Sequence, residues 1–189
     1  MAGLDTNAGA VVRDSATRRR ETFLRLISEY QGALRRLAAV YVTDSRDRED
    51  LVQEIAVGLW QAIPKFRGES SERTWLYRIA HNTAITAAAK LRRRGRSESS
   101  LDDLPDPPAE VSAHGDEQLI RSQKHAWLML AIRELAAVDR QIVTLYLEEL
   151  SYREIQEITG MSEGAIATRL SRIRDRLAAQ IRKQEVEPR

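Results

Sequence analysis

The 189-residue sequence contains no cysteine, which rules out disulfides, thiolate zinc sites, iron–sulfur clusters and cysteine nucleophiles. Histidine is also scarce. His81, His114 and His125 are scattered, and no H-E-x-x-H helix pattern is present to hold a metal. Gly68-Glu69-Ser70-Ser71-Glu72 begins like a nucleophile elbow but lacks the closing glycine and a preceding strand. There is no G-x-x-x-x-G-K phosphate loop, so nothing suggests ATP use. No run of 18 apolar residues occurs, and Met1 to Val12 lacks the basic start and apolar stretch of a secretory signal. The expectation is a soluble intracellular chain that is not an enzyme, with no catalytic residues, metal, cofactor or membrane insertion. At this length a large layered cleft enzyme is disfavoured, whereas one medium domain or two small ones of roughly 75–90 residues fit.

Charge is unevenly placed. Residues 1–96 carry 18 Lys/Arg against 11 Asp/Glu, residues 97–120 carry seven acids and no base, and residues 121–189 carry 12 bases against 10 acids. The net +2 therefore conceals basic, acidic and weakly basic blocks, a pattern that suggests two folded parts with an acidic connector. Ser97 to Gly115 (SESSLDDLPDPPAEVSAHG) has three prolines and few large aliphatics. It cannot bury enough apolar surface to offset its ordering entropy, and Pro105, Pro107 and Pro108 forbid a continuous helix.

Both flanking parts have helical periodicity and no strand pattern. Phe23, Leu26, Ile27, Tyr30, Leu34, Leu37, Ala38 and Tyr41 lie on one helix face. A second helix is expected from about Asp47 to Ile63, with Leu51, Ile55 and Leu59 inward and Pro64 as its stop. After a loop containing Gly68, a third carries Trp75, Leu76, Ile79, Ala80 and Ile85 into a basic run, Lys90 to Arg96. In the C-terminal part, Leu119, Ile120, Trp127, Leu128, Leu130, Ile132 and Leu135 make one helix. Asp139 begins the next, burying Ile142, Val143, Tyr146 and Leu147. The class is all-α: two small helical domains joined by a flexible acidic linker. The expected boundaries are a flexible N-terminus at 1–18, a first domain at 19–96, the linker at 97–116, a second domain at 117–182 and a tail at 183–189.

The best-punctuated segment is Ser151 to Gln180. Ser151 and Glu154 have capping-box spacing, Gly160 stands at a natural C-cap and Ser162 can cap the last helix. The last helix carries the stripe Ile166, Leu170, Ile173 and Leu177. A short capped helix, a brief turn around Met161 and a second helix with a basic outer face form a helix-turn-helix pattern. Gly164, Ala165 and Ala167 are small where helices touch or DNA comes close. Glu163, Ala167, Thr168, Ser171, Arg172 and Asp175 point outward, flanked by Arg169, Arg174 and Arg176. Arginines there can pair with guanine edges or neutralise phosphate. A helical hairpin with a solvated basic face is the plainer alternative.

Three segments together resemble the extracytoplasmic-function (ECF) sigma factors of the sigma-70 class. Asp47-Arg48-Glu49-Asp50-Leu51-Val52-Gln53-Glu54 followed by Leu59-Trp60 is similar to that family's core-binding helix. Phe66-Arg67-Gly68-Glu69-Ser70, Thr74 to Ala80 and Asn82 resemble its −10 recognition and melting segment. Leu150 to Ile155, Gly160-Met161-Ser162, Gly164 and Arg169-Leu170 resemble its −35 helix-turn-helix. The resemblance implies a cytoplasmic, bacterial specificity factor, nucleoid-associated when in holoenzyme. Its partners would be the β and β′ subunits of core RNA polymerase, promoter DNA and an anti-sigma factor.

The resemblance also implies residue roles. Asp50, Gln53 and Glu54 would meet core polymerase. Arg67, Ser70, Ser71, Arg73, Trp75, Asn82, Lys90, Arg92, Arg93 and Arg94 would serve the −10 strand, although Trp75 also has core spacing. Ala165, Ala167, Thr168, Arg169, Ser171, Arg172, Arg174 and Arg176 would serve the −35 duplex. The linker would tether the domains and imitate nucleic acid by its charge. Ala167 stands where family members often have lysine, and Ala136 where they often have proline. The competing readings are a stand-alone helix-turn-helix regulator, which leaves the N-terminal motifs unexplained, and a protein-binding adaptor that never touches DNA.

Overall fold

A computed structural model describes residues 5–97 and 127–186, and every regular element among them is helical. The acidic connector expected at 97–116 lies outside the described residues apart from Ser97, as do Leu119 and Ile120.

The first unit is built from α1 (Asp5–Tyr41), α2 (Ser45–Ala62) and α3 (Glu72–Ser97). α1 buries Leu26, Leu34, Leu37, Ala38 and Tyr41, following the predicted stripe. It begins well before Phe23 and takes in most of the segment expected to be flexible. Arg19 ties it to the end of α2: its guanidinium lies 4.0 Å from the centre of the Trp60 ring and donates to the Trp60 carbonyl at 2.5 and 3.1 Å. Phe23 meets the same ring edge-on at 5.3 Å.

α2 starts earlier than its charge pattern predicts. Asp44 is the cap, its carboxylate accepting from the Arg46 and Asp47 amides at 2.8 and 3.0 Å. Those two bonds hold the Asp44 carboxyl below its usual range. Leu51, Ile55 and Leu59, four residues apart, are buried. The helix tightens into a 3₁₀ turn, Ile63–Lys65, at Pro64. Ser71 caps α3, accepting from the Thr74 amide at 3.0 Å.

The inward face of α3 differs from the expected one. Leu76, Tyr77, Ala80, His81 and Ala84 are buried, whereas Trp75, Ile79 and Ile85 are only partly covered. His81 Nδ1 lies 3.1 Å from the Tyr41 hydroxyl, and its Nε2 has no partner among the described residues. Burial lowers its pKa to about 3, so the imidazole is neutral.

The second unit contains α4 (helical over 127–133), α5 (Ala137–Leu147), α6 (Tyr152–Thr159) and α7 (Glu163–Val186). Ile132, Leu135, Ile142, Leu145, Ile155, Ile166 and Leu170 form its interior. Tyr146 and Leu147, expected inside, are 40% and 52% exposed, because α5 turns Leu145 inward instead. Trp127 and Leu130 of the predicted stripe are also exposed. α5 begins at Ala137 after Ala136, which makes no side-chain cap, and Asp139 sits in its first turn. α7 runs to Val186, into the segment expected to be a tail.

The two units pack against each other, α6 alongside α3 and α5 against α1 and α3. Arg133 donates to the Ala39 carbonyl at 2.7 and 2.9 Å.

Candidate nucleic-acid and polymerase surfaces

On α2, the polar residues between the buried leucines and isoleucine face solvent, while Val52 packs against the core. Asp50, Gln53 and Glu54 are exposed together on the outer side of the helix. Two carboxylates and an amide on one rigid helix can receive arginines from a partner element. Gln53 also borders a groove of about 570 Å³ between α1 and α2, with Arg35, Arg48 and Glu49 on its walls. Arg48 is committed locally, donating to the Thr43 and Asp44 carbonyls at 2.8 and 3.2 Å.

The loop before α3 and the helix itself carry the second set. Arg67 is exposed and Gly68 takes the left-handed backbone, φ 73°, at the tip of the loop. Ser70 is half-buried. The Ser71 hydroxyl is occupied as a cap and lies 2.8 Å from Thr74 Oγ1. Trp75 packs on Phe66 at 4.9 Å between ring centres, with part of its surface left open. At 3.6 residues per turn, Trp75, Asn82 and Arg93 share one flank of α3. Asn82, Lys90, Arg92, Arg93 and Arg94 are exposed, and Arg92 Nε lies 3.2 Å from the Ala88 carbonyl. Arg73 is engaged across the unit boundary, donating to the Glu148 carbonyl.

The third surface is the helix-turn-helix. Both halves of the capping box form: the Ser151 Oγ accepts from the Glu154 amide at 3.3 Å, and Glu154 accepts from the Ser151 amide at 2.8 Å. Burial pushes the Glu154 pKa up, but the hydrogen bonds its carboxylate accepts from the Ser151 amide and hydroxyl, with the nearby Arg73 charge, outweigh this and lower it. Gly160 closes α6 at φ 74°. The Ser162 hydroxyl lies 3.4 Å from the Ala165 amide. Met161 packs against the core, while Ile166, Leu170, Ile173 and Leu177 anchor α7 inward.

This leaves Thr168, Ser171, Arg172, Arg174 and Arg176 exposed, with Ala165 and Ala167 half-buried. Thr168 donates to the Gly164 carbonyl at 2.9 Å. A Cβ on Gly164 would meet nothing within 4 Å, so its outer side is open to an approaching backbone. Arg169 differs from its neighbours. Its guanidinium pairs with Asp139 at 2.6 Å and braces α7 against α5.

A fourth cluster has no counterpart in the motifs. Arg36 grips the Glu148 carboxylate with two parallel bonds, 2.7 and 2.6 Å long. Tyr77 donates to the same carboxylate at 3.1 Å. The carboxylate raises the Arg36 pKa, and the Tyr77 pKa rises through burial first and this charge second. Arg78 donates to the Glu157 carbonyl at 2.9 Å. Arg36 and Glu148 are 112 residues apart, so no local spacing signals the contact. Among the described residues no three metal-ligating side chains cluster, and no helix is long and apolar enough to cross a membrane.

Known proteins share this layout. A family profile described as Sigma-70 region 2 matches residues 26–96, and one described as Sigma-70, region 4 matches residues 125–177. The ECF RNA polymerase sigma-E factor of Haemophilus influenzae is 31% identical over 169 residues, covering 86% of this chain and 88% of its own. The RNA polymerase sigma-H factor of Pseudomonas aeruginosa is 30% identical over 156 residues, covering 79% and 81%. Among solved structures, the sigma factor RpoE of Bartonella quintana, in complex with the anti-sigma factor NepR, shares the fold. Its TM-score is 0.65 at 24% identity, covering 86% of this chain and 98% of that one.

Proposed function

This chain belongs to the extracytoplasmic-function sigma factors of the sigma-70 class, and on that premise we propose how its surfaces divide the work. As a member it binds core RNA polymerase and directs promoter-specific initiation. The family is not in general one of enzymes. In our reading this chain supplies no catalytic group and works in the cytoplasm, where the polymerase performs the chemistry. Residues 19–96 form the region 2 domain, 117–182 the region 4 domain and 97–116 the acidic tether between them.

Asp50, Gln53 and Glu54 dock on the core enzyme. Arg67, Ser70, Arg73 and Asn82 engage the −10 strand, with the free face of Trp75 available for stacking. Ser71 contributes by shaping the start of α3. Lys90, Arg92, Arg93 and Arg94 hold phosphates. In the −35 major groove, Thr168, Ser171 and Arg172 face base edges, Ala165 and Ala167 permit close approach, and Arg174 and Arg176 take phosphates. Arg169 positions the helix through Asp139. An anti-sigma factor completes the set of partners, as one accompanies the Bartonella relative.

The observation that carries this reading is the capped α6–Gly160–α7 unit, with an apolar inner stripe and a hydroxyl- and arginine-bearing outer face. Footprinting of reconstituted holoenzyme on selected promoters tests it. Protection of two separated elements, the upstream one weakened by Arg172→Ala, is the expected result. A footprint indifferent to α7 would overturn the assignment.

A further inference from the structure

Four arginines drawn from both units gather near the end of α1 without a counter-charge. Arg133 donates through Nε and Nη2 to the Ala39 carbonyl, an acceptor left over in the last turn of α1. Arg140 donates through Nη2 to the Leu135 carbonyl at 3.0 Å and to the Arg133 carbonyl, and its guanidinium carbon lies 5.7 Å from the centre of the Tyr41 ring. Arg48 is held by the Thr43 and Asp44 carbonyls and Arg92 by the Ala88 carbonyl. All these acceptors are neutral. No ion pair among the described residues involves any of the four, whereas Arg36, in the same contact between units, is matched by Glu148. Burial, then Arg48 and Arg140, push the Arg133 pKa down; burial and Arg92 do the same to Arg140 against the pull of Tyr41. Asp44, which feels the Arg48 charge, is already engaged as the α2 cap. A second observation is independent of charge: Arg140 Nε is buried with no acceptor among the described residues, and a buried donor of this kind calls for one.

We infer that Arg133 and Arg140, flanked by Arg48 and Arg92, form a site for a small phosphate-class anion carrying two or more negative charges. Nη1 of Arg133, Nη1 of Arg140 and the orphaned Nε supply its donors, and the planar guanidinium matches phosphate oxygens better than an ammonium would. Arg48, Arg133 and Arg140 are only partly covered and Arg92 is exposed, so an ion reaches them from solvent. A diester phosphate of a nucleic acid brings one charge to a place that holds four cations; inorganic phosphate or diphosphate brings more. Apart from Arg92, the site uses no residue assigned above to core polymerase or DNA, and it does not rest on those assignments.

Isothermal titration calorimetry of the full chain with inorganic phosphate and with diphosphate tests the site. Ionic strength is held constant with chloride, so that diffuse attraction is screened equally throughout. Saturable one-to-one uptake is expected, tighter for diphosphate, and weakened about tenfold or more by Arg133→Gln or Arg140→Gln. Circular dichroism verifies folding. Should either of those variants unfold, Arg48→Gln combined with Arg92→Gln decides, since it removes two flanking charges and leaves the carbonyl contacts of Arg133 and Arg140 in place. Arg20→Gln combined with Arg182→Gln is the control: it removes two exposed charges elsewhere and should leave the affinity within about twofold. Absence of saturable uptake overturns the site. So does uptake that the arginine variants leave unchanged, or that the control weakens as much. A last arm replaces the chain's own acids, through Asp102→Asn, Asp103→Asn, Asp106→Asn and Glu110→Gln. If uptake appears only in that variant, the acidic connector is the occupant and the assignment to a free anion fails.

Discussion

Replacing Glu149 by glycine should stabilise the protein. α5 ends in a Schellman turn, in which the Leu150 amide donates to the Leu145 carbonyl at 3.2 Å and the Glu149 amide to the Tyr146 carbonyl at 3.0 Å. That turn needs a left-handed residue, and Glu149 occupies it at φ 60°, the one positive φ outside glycine among the described residues. A Cβ in this conformation costs roughly 1–2 kcal/mol. Glycine removes that cost but frees the unfolded chain by about 0.4–1 kcal/mol. The expected gain is about 0.5–1 kcal/mol, or a rise of about 1–4 °C in Tm for a chain of this size. Urea and thermal denaturation followed by far-UV circular dichroism measure it, with Glu149→Ala as a control that retains the Cβ. Gly160→Ala tests the converse, because φ is 74° there and a Cβ would meet nothing within 4 Å. It should lose about 1 kcal/mol through conformation alone. A destabilised Glu149→Gly, or an unaffected Gly160→Ala, would refute the argument.

Three further outcomes are expected. Asp50→Ala with Glu54→Ala should weaken core polymerase binding at least tenfold, about 1.4 kcal/mol, while leaving the melting curve unchanged because both residues are exposed; equal affinity removes that face from the interface. His81 should make stability fall on acidification. The unfolded imidazole takes a proton below about pH 6.5 whereas the folded one resists to about 3, so stability present above about pH 6.5 is lost as pH falls, by about 2 kcal/mol between pH 7 and 5. Urea titrations across that window should lose the slope in His81→Phe. Finally, Arg172→Ala should reduce −35-dependent transcription without altering Tm. Arg169→Ala should also cost up to about 1 kcal/mol of stability through the half-exposed Asp139 pair, and equal Tm values for the two variants would count against the bracing role.

Much of the architecture is legible where local chemistry is strong. The stripes of α1, α2 and α7 follow helical spacing, and the Ser151–Glu154 box and Gly160 cap form at the expected residues. Starts fixed by a single side-chain cap are less visible: the negative charges at Asp47 and Glu49 suggest a helix start there, but Asp44 makes the bonds. Tyr77 and His81 enter the core because their polar atoms meet Glu148 and Tyr41, partners that are distant in sequence. Arg169 has the spacing of a flank residue, yet Asp139 draws it inward from 30 residues away. The Arg36–Glu148 clamp depends on how the units pack, a level of organisation that periodicity does not encode.

Reconstitution with purified bacterial core RNA polymerase, followed by transcription and strand-opening readout over a promoter-fragment library, tests the central claim most directly. Initiation that depends on both this chain and the core enzyme, at promoters sharing two spaced elements, is the result predicted here. A folded, inhibitor-free chain that does not bind the core enzyme would contradict it.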